Sequence, residues 1–414
     1  MNKTLLTALA VAATLPCFAG GFKIGAQGQK ALGMAHVGAG IALDASSVYF
    51  NPGAMSFTRN SIVFGVHGLA PRTRYIDSAT QILTNADNQL FTPFSLYATK
   101  GLGKKWTVGF GAYTPFGSGV KYSGGWTGRY VLTSINLTCV YLQPSLSYKI
   151  GKHFSLGAGY VYALGHVDLQ KDVPTLNSAG QVGHATLDGA GSGMGFNSGA
   201  YYQDSMFSLG VTYHSRVDMK VKSGTANFSN IPSLAASNFP NTTFSANLPL
   251  PSEIATGLGI RLGKKRNTLI AGDFNYTFWR SFDSLGFDYA DNTAALSDAK
   301  SPRLYQDAWA IRLGAQSKLS NRVTARGGAF IDNTPVQDGF VNPELPDNDK
   351  WGLTAGLSVK LDYQWSIDAS LLYENVPARG VRNDETQLAG TFATRVIAPG
   401  IGVQYNFVKD PWKK

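Results

Sequence analysis

Few side chains here are placed to do chemistry, and the arginines are the best placed of them. Arg312 shares an alternating face with Ala310, Gly314 and Gln316, and Arg326 shares one with Thr324 and Gly328. Successive side chains of a strand point to opposite faces, so both arginines belong to a small, polar face. Arg261 and Lys149 point the same way. A guanidinium fork can hold a carboxylate in two parallel hydrogen bonds. Arg312, at mid-strand, could therefore grip the head group of an amphipathic ligand. Glu253, Asp273 and Asp368 offer the competing arrangement, an internal ion-pair network. Arg312, Arg326 and Phe330 are the candidate ligand-binding residues.

Catalytic chemistry is poorly provided for. His36, His67, His153, His166, His184 and His214 form no close ligand pair, and no GxSxG nucleophile elbow occurs. No GxGxxG or phosphate loop is present. Cys17 and Cys139 are the only cysteines, which leaves no CxxC metal site. The expectation is a protein without catalytic residues, metal or cofactor.

The elements that carry these residues are amphipathic strands. Phe154, Leu156, Ala158, Tyr160, Tyr162 and Leu164 lie opposite Ser155, Gly157, Gly159 and Ala163. Trp351, Leu353, Ala355, Leu357, Val359 and Leu361 oppose Gly352, Thr354, Gly356, Ser358 and Lys360. A soluble sandwich also alternates, but these segments are long and carry aromatics near their ends, which favours a lipid-facing wall with aromatic girdles. Fourteen strands are expected, beginning near residues 61, 93, 104, 138, 153, 194, 206, 252, 267, 305, 321, 351, 365 and 394. Tight turns alternate with long connections, near residues 71–92, 115–137, 170–193, 215–251, 282–304, 332–350 and 375–393. That is the layout of an outer-membrane barrel with its short turns periplasmic. The last strand ends in Tyr405-Asn406-Phe407, and residues 408–414 form a C-terminal tail.

Composition agrees. Charged residues are 15% and aromatics 12% of the 414 residues. The formal charge is +10, but the Lys and Arg are scattered beside turns, with no basic run that would point to nucleic acid. Lipid head groups at the barrel rims are their expected partners. Residues 1–19 read as an export signal, with Lys3, an apolar Leu5–Leu15 core and Cys17-Phe18-Ala19 as the cleavage site.

Between that signal and the first strand lies Gly28–Met55, rich in Gly, Ala and Ser and closing on Asn51-Pro52-Gly53. Lys30, His36 and Asp44 rule out a spanning helix. A compact non-strand segment here could fill what the strands enclose.

The wording of that stretch, GxAxxGxGIALDASSVYFNPGAM, resembles the N-terminal hatch of the FadL family of outer-membrane transporters. Further similarities follow in family order: YTPFGSG at Tyr113–Gly119, WTGRY at Trp126–Tyr130, LPSEIATGLG at Leu250–Gly259, DNTPV at Asp332–Val336 and LPD at Leu345–Asp347. Where the family has Asn-Pro-Ala, Gly53 stands before Ala54 here. The resemblance implies an all-β fold, a 14-stranded antiparallel transmembrane barrel with the hatch plugging its lumen. It implies a signal at 1–19, a hatch at 20–59, a barrel at 60–407 and a monomer in the bacterial outer membrane. Its function would be passive transport of long-chain fatty acids or other hydrophobic molecules, aromatic hydrocarbons included. Asp44, Asn51, Pro52 and Gly53 become the candidate hatch and gating residues. A general porin and a barrel hydrolase are the alternatives.

The exit is expected in the third strand. Gly109 and Gly111 lie within it and Pro115 follows. Glycine inside a strand marks a bulge or makes room for a neighbour, and Pro removes a ladder donor. These three are the candidates for a sideways opening.

Overall fold

The computed structural model describes residues 20–58 and 60–407. The expected export signal (1–19), Arg59 and the tail (408–414) lie outside the described residues. Among the described residues, two short helical turns come first, α1 (Gln29–Leu32) and α2 (Ser47–Phe50), then a 3-10 turn at Pro52–Phe57. Twenty strand segments follow: β1 (Ser61–His67), β2 (Ala70–Asp77), β3 (Leu83–Asn85), β4 (Phe94–Leu102), β5 (Trp106–Lys121), β6 (Ser134–Ile150), β7 (Phe154–Leu176), β8 (Val182–Gln203), β9 (Phe207–His214) and β10 (Val217–Ser229). The rest are β11 (Thr242–Leu250), β12 (Glu253–Leu262), β13 (Thr268–Thr277), β14 (Ser284–Tyr289), β15 (Ala299–Pro302), β16 (Ala308–Lys318), β17 (Val323–Asp332), β18 (Lys350–Lys360), β19 (Trp365–Arg382) and β20 (Ala389–Asn406). Five wall strands are each broken in two (β1/β2, β9/β10, β11/β12, β13/β14, β15/β16), and β3 belongs to an outer connection. The wall is thus a 14-stranded antiparallel barrel. It closes where β1 pairs with β20, from Ser61↔Asn406 to His67↔Gly400.

Lipid explains the alternation. Phe64, Leu156, Tyr160, Phe196, Leu209, Leu258, Phe274, Leu313, Leu353 and Ile401 are exposed apolar residues on the outer face. Their strand neighbours Ser155, Ser208, Asp273, Arg312 and Thr354 are buried inside. Aromatic pairs mark both rims: Trp106–Tyr148 and Trp365–Tyr405 near the short turns, Trp351–Tyr373 near the long connections. Gly103 and Gly151 take φ of 75° and 66° in their tight turns, a backbone that favours glycine.

Several outer connections are more ordered than the sequence suggests. Much of 170–193, 217–250 and 284–302 continues as paired strand above the membrane. Both faces of the wall meet polar surroundings there, so the apolar alternation fades while the backbone ladder continues.

Residues 20–58 lie inside the wall, and glycine is what seats them. A Cβ on Gly210 would overlap the Ala39 carbonyl oxygen, one on Gly257 would overlap Gly40, and one on Gly314 would overlap Met34. Gly157 faces Pro52, Gly328 faces Ala35 and Gly356 faces Gly33. The small inner face therefore forms a ring on which the hatch backbone rests directly.

Candidate functional site

The hatch is fixed by polar contacts to inward side chains. The Gly38 and Ala39 amides donate to Asp273 Oδ2 at 2.7 and 2.8 Å. The Ala35 amide donates to Thr354 Oγ1 at 2.8 Å, and Ser155 and Ser208 donate to the Gly53 and Gly40 carbonyls. Asn51 is fully buried. Its Oδ1 accepts from Gly53 N, and its amide donates to the Ala39 and Ala200 carbonyls. Pro52 and Gly53 open the 3-10 turn, where the Gly53 carbonyl is held by Ser155 and Ser147. Asp44 accepts from Ser46 and pairs with Lys30 at 3.4 Å, and Lys30 also reaches Asp368 at 3.7 Å. The four hatch candidates thus hold the plug's own shape and its seat.

Above the hatch lies a cavity of about 470 Å³, a size usual for ligand sites. Leu32, Phe91, Phe94, Phe330, Leu372 and Val396 supply apolar wall. Arg312 and Phe330 both line it, with the guanidinium 5.1 Å from the ring centroid. Arg326 does not line it. It bonds Gln316 and Ser358, close to Gly33 of the hatch.

The cations of the cavity are all engaged. Lys23 pairs with Glu253, Arg312 with Asp332 at 3.0 Å, and Lys350 with Glu374 at 3.4 Å. Glu344 and Asp347 line it as well, so three cations face five carboxylates. Of the other inward bases, Arg261 donates to Gln203 and Lys149 lies 4.0 Å from the Phe57 ring centroid.

The wall has a break beside this cavity. β4 and β5 pair from Leu102↔Trp106 up to Ser95↔Tyr113. Beyond Tyr113 the β5 register on β6 shifts, at Thr114-Pro115, and pairing resumes at Phe116↔Cys139. On the β4 side nothing continues the ladder. Residues 91–93 turn instead toward β1, where Phe91 pairs with Leu69 and Pro93 accepts from His67 N. The two backbones meet again at the bridge Ala86↔Tyr122 and the bond from Asp87 N to Lys121 O (2.7 Å), and between these and Tyr113 the Phe91 ring lies on Gly119. Phe22–Ile24 cover the free edge from inside: Gly117 N donates to Phe22 O at 3.0 Å and Ile24 N to Pro115 O at 2.8 Å. Residues on both sides of the break, Leu90–Phe94 and Gly117–Val120, line the cavity.

Gly109 and Gly111 lie below this break. Their missing side chains make room for the hatch, since a Cβ on Gly109 would meet Met55 Sδ at 2.5 Å and Val48 Cγ2 at 2.7 Å. A Cβ on Gly111 would meet Val48 Cγ1 at 3.1 Å. Pro115 sits at the bulge itself.

Phe22 is the residue that sequence reasoning missed. It packs on Trp279 (4.8 Å between ring centroids) and Phe282 (5.5 Å). It lines both the cavity and a small, almost wholly apolar outer slot formed with Leu137, Cys139, Met219, Leu248 and Leu250. Asp347 anchors the neighbouring backbone. Its Oδ2 accepts from Gly21 N at 2.9 Å and from Thr334 Oγ1 at 2.7 Å. Burial pushes its carboxyl up to about 6, against the pull of Lys350 and these two donors.

A family model described as "Outer membrane protein transport protein (OMPP1/FadL/TodX)" matches residues 9–408. The chain belongs to this family. It is a protein of the bacterial outer membrane, with a transporter's architecture. It is 27% identical to the long-chain fatty acid transport protein of Salmonella typhi, over 90% of this chain and 92% of that one. It is 24% identical to outer membrane protein P1 of Haemophilus influenzae, over 90% and 89%. The FadL homologue of Pseudomonas aeruginosa shares its fold with a TM-score of 0.82 and 18% identity, covering 94% of this chain and all of that one. The toluene transporter TodX of Pseudomonas putida matches with a TM-score of 0.73 and 16% identity, covering 95% and 100%. As in its OMPP1/FadL/TodX relatives the fold is a 14-stranded barrel, and here residues 20–58 lie inside its wall.

Proposed function

We propose that this protein is a monomeric, passive channel for hydrophobic molecules, which pass from the outer apolar slot to the lumen cavity and leave sideways between β4 and β5. The observation that carries this reading is the break above Ser95↔Tyr113, which opens on the cavity and is covered by Phe22–Ile24 and by the Phe91 ring lying on Gly119. A hydrophobic solute leaving into water loses about 0.8 kcal/mol per exposed CH₂. Escape into lipid avoids that cost. Unpaired backbone facing lipid costs several kcal/mol per group, and here the N-terminal segment satisfies it. Phe22 stands between slot and cavity and also covers the exit, so one movement of Gly20–Ile24 would open both. No step in this passage needs a nucleophile, a cofactor or a metal.

A hydrocarbon carrying a photoreactive diazirine tests the route. Adducts are expected on residues 22–26, 90–94 and 114–121. Adducts concentrated on Gly53–Thr58, at the end of the plug nearest the short turns, would mean a downward route.

The cavity's charge bears on the cargo. Every lining cation already has a carboxylate, so the reading favours uncharged hydrophobic molecules over fatty-acid anions. Asp332→Asn should free the Arg312 guanidinium and tighten fatty-acid binding by about 1.5–3 kcal/mol, the range for a hydrogen bond to a charged group. Binding of an uncharged aromatic should not change. Titration of the purified variant with each ligand checks this, and equal affinity of the native protein for both would remove the preference.

A further inference from the structure

On the outer wall, three arginines gather where the lipid face ends. Arg72 and Arg74 of β2 point outward, while their neighbours Thr73, Tyr75 and Asp77 are buried inside. Arg395 of β20 is exposed and stands directly opposite Arg72 in the ladder. The row continues through Asn375 to Trp351 of the aromatic rim. The next outward row toward the short turns is Leu353–Tyr373–Ile397–Ala70, and below it lie Leu371, Pro399 and Ile401. The arginines therefore sit at the boundary between hydrocarbon and head groups, on the long-connection side.

Like charges directly opposed across a ladder are destabilising, and the nearby hydrocarbon deepens the penalty. Among the described residues, none of the three forms an ion pair, and the one side-chain partner is the neutral Asn88, which accepts from Arg72. Elsewhere on the outer connections arginines do find carboxylates: Arg129 with Asp172, Arg216 with Asp218, Arg303 with Glu344, Arg379 with Asp338. An external anion at Arg72, Arg74 and Arg395 would remove the repulsion. Phosphate suits adjacent guanidinium forks, because each can bind two of its oxygens. At this depth the outer leaflet presents the phosphates of its glycolipid.

We propose that Arg72, Arg74 and Arg395 form a binding site for the phosphate of an outer-leaflet glycolipid of the lipid A type. The site fixes a lipid against β20 and β2, one strand away from the break between β4 and β5.

The test uses the full-length protein in detergent, with diphosphoryl lipid A as the probe and native mass spectrometry as the readout. The native protein is expected to retain lipid A at least tenfold better than a variant carrying Arg72→Gln, Arg74→Gln and Arg395→Gln. Dephosphorylated lipid A should bind the native protein as weakly as it binds that variant. A control carrying Lys104→Gln, Lys105→Gln and Lys152→Gln, on the short-turn rim, should bind as the native protein does. Arg395→Gln alone should lower retention while leaving the lipid-free protein at least as heat-resistant as before, since it relieves the repulsion; a purely structural arginine would lower that resistance. Equal retention by the triple variant, or equal binding of the dephosphorylated lipid, would overturn the proposal. Displacement of lipid A by inorganic phosphate at equal concentration would make this a free-anion site and overturn its assignment to lipid.

Discussion

Gly210→Val is expected to convert the plugged barrel into a conducting pore. The ideal Cβ at this position overlaps the Ala39 carbonyl oxygen, and Asn51 Nδ2 lies 2.7 Å away. Overpacking costs about 1–3 kcal/mol where side chains can yield. Here the opposing atoms are hatch backbone, and the Gly38 and Ala39 amides are already fixed on Asp273. The hatch is the element able to move. Apart from the Lys23–Phe116 bridge, the wall strands pair with one another around the ring, so the wall stays closed and folded when residues 33–58 are displaced. Planar-bilayer recordings should show a clear rise in conductance over the native protein, with unchanged heat-dependent gel migration. Conductance as low as before would mean that residues 20–58 do not close the lumen. Gly109→Val should act in the same direction, because its added side chain meets Met55 and Val48 rather than the exit.

That reassignment of Gly109 shows where sequence stops being informative. Alternation yields fourteen strands because lipid demands an apolar residue at every second position, and Leu156, Leu353 and Ile401 obey. Register across strands leaves no such trace. Asp332 ends β17, and nothing in a single sequence says that it, rather than Asp273 on the other neighbouring strand, takes Arg312. The same blindness hid the place of Arg326, which lies beside the hatch while Arg312 and Phe330 line the cavity. Glycine was legible as "small and inward" but not as a seat, since that meaning depends on which hatch atom arrives opposite. Pro115 was the better guide to the break, because a residue without an N–H cannot extend a ladder. Phe22 carried no signal at all: one Phe just before a Gly-rich stretch looks like any other.

The claim that the N-terminal segment is the door can be tested by locking it. Lys23 and Phe116 are bridge partners across the free edge of β5. Directly opposed antiparallel residues have Cα atoms about 4.5–5.5 Å apart, within the range a disulfide spans. Cys139 faces Phe116 on β6, so Cys139→Ser is needed first to prevent a wrong pairing. In that background Lys23→Cys with Phe116→Cys should oxidise and pin Phe22–Ile24 over the break. Uptake of a labelled uncharged hydrocarbon by cells lacking other such channels should then fall to the background rate and return on reduction. The single variants, with one cysteine each, should be insensitive to oxidant. Uptake by the oxidised double variant at the rate of its reduced form would contradict the account, because the cargo would then be leaving with the proposed door shut.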